Sequence, residues 1–137
     1  MDLDEARDYL RTHHRAVMAT MRRDGTPQLS PVTVSVDADG DAVVSSREPA
    51  VKTKNVRRDP RAWLCVFPDT FFGERFVQVE GDVTVLSLPE AMEGLVDYYR
   101  SVSGEHPDWD DYRAAMEREQ RVLIKLRLTR AGPDISG

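Results

Sequence analysis

Lys52, Thr53, Lys54 and Asn55 are the residues whose types and spacing most directly suggest chemistry in this chain. They follow Val43-Val44-Ser45-Ser46-Arg47-Glu48-Pro49, an apolar strand end, two hydroxyls and a turn closed by proline. A helix can start after that turn and should stop before Pro60, which places the four in its first turn. Unpaired backbone N–H groups and the positive end of the helix dipole favour an anion there. Lysines normally belong at the other end of a helix, and a bound phosphate would offset the conflict.

Local charge sharpens this expectation. Arg47, Lys52, Lys54, Arg57, Arg58 and Arg61 face only Glu48 and Asp59, six positive against two negative, in a chain of net charge −5. One cationic island in an acidic protein suggests a local anionic ligand. A nucleic-acid surface needs a broad basic face instead. The plain alternative is a solvated helix face.

Other chemistry is missing from the sequence. There is no phosphate-binding P-loop, no G-x-G-x-x-G after a strand, and no nucleophile with a recognisable base. The 3 histidines have no metal-ligand spacing. His13 and His14 are adjacent, so on a helix they point about 100° apart and cannot clasp one metal. If the chain is an enzyme, a cofactor carries the hard chemistry.

The elements that must position these residues can be read in order. At 137 residues, one domain spanning 1–137 with a single core is expected. Asp2 and Glu5 cap a short helix carrying Leu3, Ala6 and Leu10. Strands are expected over 16–21 and 28–36, turned at Asp24-Gly25, and over 42–46, turned at Asp37-Ala38-Asp39-Gly40. These three read as an antiparallel meander. Pro31 demotes the second strand to an edge or marks a bulge, and an unpaired edge there would be open to a ligand or a partner chain.

Further strands are expected over 62–67, 75–85 and 121–129, with a bend at Gly81. The last should have one wet face, Leu123, Lys125, Arg127 and Thr129. Helices are expected from the capping pair Ser87/Glu90 to Gly104, and over 108–120, where Trp109, Tyr112 and Met116 form a core stripe. Cys65, among apolar neighbours, reads as core, and the tail from Ala131 as frayed. Phe71 and Phe72 suggest a subunit interface, a pocket lid or simple packing. Six strands with inserted helices give a mainly β fold, a small closed or half-closed antiparallel barrel. Such a barrel is filled by its own side chains, so a flat ligand must sit outside it or between two copies. The N-terminus lacks a signal-peptide pattern and no apolar run matches a membrane span, so a cytoplasmic protein is expected.

The chain resembles the flavin/deazaflavin oxidoreductase superfamily, the pyridoxamine-5′-phosphate-oxidase-like split barrels, and within it the actinobacterial branch that uses coenzyme F420. The resemblance is carried by Val17-Met-Ala-Thr20, Asp24-Gly-Thr-Pro-Gln-Leu-Ser-Pro-Val32, residues 48–62 with their Lys-Thr-Lys-Asn-x-Arg-Arg-Asp-Pro-Arg core, Val79-Glu-Gly81 and residues 104–113. It implies a six-stranded split β-barrel, dimeric, with two cofactors at the subunit interface. It also implies that Lys52 leads the phosphate contacts with Thr53, Lys54, Asn55 and Arg58 beside it. Arg47 substitutes from the turn for a basic residue that relatives carry where this chain has Ala50. Gln28, Ser30, Val32, Ser45 and Ser46 would line the ring. The implied activity is F420-dependent hydride transfer to a small conjugated substrate such as a quinone, enone or tetrapyrrole. The alternatives are an FMN-dependent oxidoreductase and a non-catalytic flavin or deazaflavin binder. Neither a metal, a nucleic acid nor a membrane is implied.

Overall fold

The computed structural model describes residues 1–70 and 74–133. Its first half runs α1 (Leu3–Thr12), β1 (Arg15–Met21), β2 (Pro27–Thr33), β3 (Ser35–Val36), β4 (Ala42–Arg47) and α2 (Val51–Arg58). Its second half runs β5 (Arg61–Phe67), β6 (Val77–Leu86), α3 (Met92–Ser103), α4 (Trp109–Arg118) and β7 (Arg121–Gly132). No described helix is long and apolar enough to cross a membrane.

Among the described residues there are seven strands rather than six, because the expected 28–36 strand breaks at Val34. The Val34 N–H donates to the His14 carbonyl at 2.9 Å, and its carbonyl lies 2.8 Å from His14 Nδ1. Its side chain is fully buried. At this point the chain leaves β1 and crosses to β4.

All strands form one antiparallel sheet in the order β2-β1-β5-β6-β7-β4-β3. The two edge strands, β2 and β3, are separated in sequence by Val34 alone. A sheet whose opposite edges are joined by one residue must curl until those edges meet, which makes a barrel split along one seam. The expected meander is therefore corrected. β2 pairs with β1, whereas β4 pairs with β3 and β7. Pro31 does lie on an edge strand, opposite Val17.

The longest pairing, β6 with β7, shifts register between Glu80 and Gly81. A side chain at Gly81 would place its Cβ 1.9 Å from the Arg127 carbonyl oxygen, so only glycine allows this close approach. The irregularity bends the sheet where the barrel needs curvature.

Met18, Leu64, Val66, Val77, Val79, Ile124 and Leu126 fill the interior, and Ala6 and Leu10 of α1 plug one end. Asp2 caps α1 as expected, accepting from Glu5 N–H at 2.8 Å. A second cluster lies outside the barrel, where Leu95, Val96, Tyr112 and Met116 of α3 and α4 cover Val43 and Leu123. The predicted stripe of Tyr112 and Met116 is thus core. Leu123 is not on a wet face, because two helices pack over that end of β7.

Other boundaries also move. α3 starts at Met92 rather than after Ser87, whose hydroxyl accepts from Arg57 at 2.9 Å instead of capping a helix. β7 continues through Ala131, paired with Val79, where fraying was expected. Cys65 points out of the barrel and is half-buried, and burial pushes its thiol up, away from the nucleophilic thiolate. Phe71 and Phe72 lie outside the described residues.

Candidate functional site

β4, the turn at 48–50 and α2 form the strand-turn-helix that the sequence implies. Ala50 is the N-cap and offers no side-chain acceptor, so the N–H groups of the first turn have no side-chain partner from that position. The pleat of β4 and the turn of α2 then sort the candidate residues by direction.

Ser45 and Ser46 point to opposite faces of β4. Ser46 faces inward, where its Oγ lies 2.8 Å from the Thr53 hydroxyl, and that hydroxyl also donates to the Arg47 carbonyl at 2.7 Å. Asn55 is buried too, and its Nδ2 donates to Thr20 Oγ1 at 3.1 Å. Thr20 in turn donates to Gln28 Oε1 at 3.2 Å. Arg58 donates to Asn55 Oδ1 at 3.3 Å and to the Met21 carbonyl. Thr53, Asn55, Arg58, Gln28 and Ser46 therefore bind α2 to the barrel wall through their own polar atoms.

Lys52 points the other way, into a groove of about 710 Å³ between the ends of β2 and β4 and the helices α3 and α4. Val32, Ser45, Lys52, Tyr98, His106 and Arg121 are among its walls. Lys52 is half-buried, and among the described residues it has neither an ion pair nor a hydrogen bond. Burial, and then the nearby Arg121 guanidinium, holds its ammonium below the usual lysine range. An unpaired, partly desolvated cation is what a bound anion would correct.

The remaining cations are arranged differently. Arg57 pairs with Glu48 at 2.8 Å, and Arg61 with Asp59 at 2.8 Å. Lys54 is exposed and lies outside the groove. Arg47 is exposed at the end of β4, directly across the ladder from Arg121.

Gln28, Ser30 and Val32 share one face of β2. Ser30 Oγ is buried and, among the described residues, has no hydrogen-bond partner. Ser30 is not among the walls of the groove that Lys52 enters; of the three, Val32 is. The half-buried Lys52 ammonium is the group there that a phosphorylated cofactor fits.

A search of protein-family profiles matches residues 3–132 to the family described as pyridoxamine 5′-phosphate oxidase. The chain belongs to the pyridoxamine 5′-phosphate oxidase family. Among solved structures with this family's split-barrel fold, a conserved hypothetical protein from Mycobacterium tuberculosis superposes with a TM-score of 0.78 at 25% identity, covering 96% of this chain and 82% of that one. A protein titled F420 reductase gives 0.69 at 22% identity, covering 91% and 94%. HutZ, the haem storage protein from Vibrio cholerae, gives 0.71 at 13% identity, covering 96% and 94%. The last two show the fold alone.

Within this family member, the groove has walls the sequence did not reveal. Tyr98 donates to the Thr33 carbonyl at 2.8 Å, and burial pushes its phenol up. His106 Nδ1 accepts from the Asp108 N–H at 2.9 Å, so in the neutral ring the proton sits on Nε2, making that atom a donor rather than a metal ligand. Arg121 opens β7, and a strand-opening arginine carries no signal that could have singled it out.

Proposed function

We propose that this protein is an F420-dependent oxidoreductase that reduces a small conjugated organic substrate such as a quinone, enone or tetrapyrrole. The observation that carries the reading is the unpaired, half-buried Lys52 ammonium at the start of α2, aimed into a groove whose far wall is aromatic. When bound, the reduced deazaflavin supplies a hydride. Lys52 and the first-turn N–H groups of α2 hold its phosphate. Val32 and Tyr98 exclude water from the ring. The product's proton comes from solvent.

The proposal includes a homodimer. Support comes from an outer sheet face that no described helix covers, where Pro31, Val17 and Cys65 stand side by side, as do Leu29, Ala19 and Trp63. Leu29, 62% exposed, stands there among apolar neighbours as a patch rather than singly. A second copy on this face would bring its own residues to the seam.

The test is direct. Purified protein mixed with F420 should quench its fluorescence, and with reduced F420 it should turn over at least one acceptor in a quinone, enone and tetrapyrrole panel. Tighter binding of FMN than of F420 would favour the flavin oxidoreductase reading, which uses the same phosphate site. Tight binding with no turnover across the panel would favour a non-catalytic carrier.

A further inference from the structure

We infer that Arg121 is a second phosphate-binding cation, converging with Lys52 on one anionic group, and that Glu119 occupies its guanidinium until the ligand displaces it. This rests on the reading of the groove as a phosphorylated-cofactor site, and it assigns a residue from the far end of the chain to that site.

Arg121 and Lys52 come from different elements, the start of β7 and the first turn of α2, yet both line the groove. Arg121 also stands directly across the ladder from Arg47. Like charges directly opposite on neighbouring strands are destabilising. Among the described residues neither Arg47 nor Lys52 has an acidic partner. The groove itself is walled by two cations, Lys52 and Arg121, and two carboxylates, Asp111 and Glu119. Asp111 pairs with neither cation, whereas Arg121 pairs with Glu119 at 2.8 Å. That carboxylate is used economically. Its Oε1 accepts from Arg121 Nε at 3.0 Å and Nη2 at 2.8 Å. A guanidinium fork held by one oxygen is not the bidentate pairing it can make with a phosphate.

The backbone between the two residues is strained. Gln120 has φ +54°, the left-handed region that residues other than glycine seldom adopt. Its carbonyl is held by the Glu48 N–H at 2.9 Å, which ties this turn to the one preceding α2. Strained residues of this kind collect where a structure holds a ligand-contacting group in place. Here the constraint fixes Glu119 and Arg121 on either side of Gln120 and holds Arg121 at the groove.

The experiment compares dissociation constants of F420, FMN and their dephosphorylated counterparts for wild type, Arg121→Gln and Glu119→Gln, with the melting temperature of each as a folding check. Arg121→Gln should weaken both phosphorylated ligands by about tenfold or more, leaving the dephosphorylated ones unchanged. Glu119→Gln should tighten the phosphorylated ligands alone. Arg121→Gln affinities equal to wild type, or a loss shared equally by dephosphorylated ligands, would overturn the assignment. So would a loss confined to the KM of a carboxylate substrate. Glu119→Gln binding no tighter than wild type would overturn the displacement. If wild type binds none of the ring compounds, the oxidoreductase reading fails on its own. Inorganic phosphate then decides this one, by raising the melting temperature of wild type more than that of Arg121→Gln, or by raising both alike, which would sink it.

Discussion

Asn55 Nδ2 lies 3.1 Å from Thr20 Oγ1, which fastens the cationic helix to the first strand from inside the barrel. Asn55 is 5% exposed and Thr20 0%. Asn55→Ala removes that bond and one of the two acceptors of Arg58, and is expected to cost about 2 kcal/mol of stability. Cofactor affinity should fall with it, because Lys52 sits on the helix that loosens. Chemical denaturation checks the first effect and ligand titration the second. An unchanged midpoint would mean that the Asn55–Thr20 bond adds nothing to the hold that Thr53 and Arg58 already have on α2.

Lys52→Met should separate stability from function. Among the described residues the half-buried ammonium has no partner, and burial and Arg121 both disfavour its charged form. Replacing it with an apolar side chain of similar length is expected to raise the melting temperature of the ligand-free protein while weakening phosphorylated-cofactor binding at least tenfold. A lower melting temperature together with undiminished binding would contradict the role given to Lys52.

Gly81→Ala should be among the most damaging substitutions outside the core. The new Cβ would meet the Arg127 carbonyl oxygen at 1.9 Å, backbone that cannot rotate aside. A cost of roughly 3 kcal/mol is expected, from forcing apart the β6–β7 register shift that curves the barrel. Urea unfolding of the purified variant gives the value.

Tyr112 predicts an alkaline limit. Burial pushes its phenol from the usual 10.0 to about 12, and its hydroxyl donates to the Leu95 carbonyl at 2.8 Å. A raised folded value means the folded state keeps its proton while the unfolded chain loses it. The contribution is complete below pH 10 and declines as pH rises from 10.0 towards about 12. Wild type should therefore lose melting temperature in that window more steeply than Tyr112→Phe. Parallel curves would remove Tyr112 from the account.

Leu29→Glu tests the apolar sheet face. At 62% exposure the side chain bears little of the monomer's stability. A carboxylate there should leave the fold intact while shifting sedimentation from dimer to monomer, with weaker cofactor binding as a consequence. Wild type that sediments as a monomer would remove the face as a dimer surface.

The sequence by itself determined the element types, the Asp24-Gly25 hairpin, an edge or a bulge at Pro31 and the strand-turn-helix around Lys52. Each of these depends on neighbours a few residues apart, through turn chemistry, periodicity and helix-end electrostatics. Tertiary structure alone decided the rest. Val34 is one more valine in an alternating run until its burial splits a strand and sends the halves to opposite edges of one sheet. Thr53 and Asn55 bond inward to the barrel wall while Lys52 faces the groove, a sorting set by helix rotation against the sheet. Arg121, nearly seventy positions after Lys52, reaches the same groove only because β7 pairs with β4. Local pattern specifies what an element is and which residues share a face, whereas what that face meets is set by long-range pairing, which no short stretch of chain encodes.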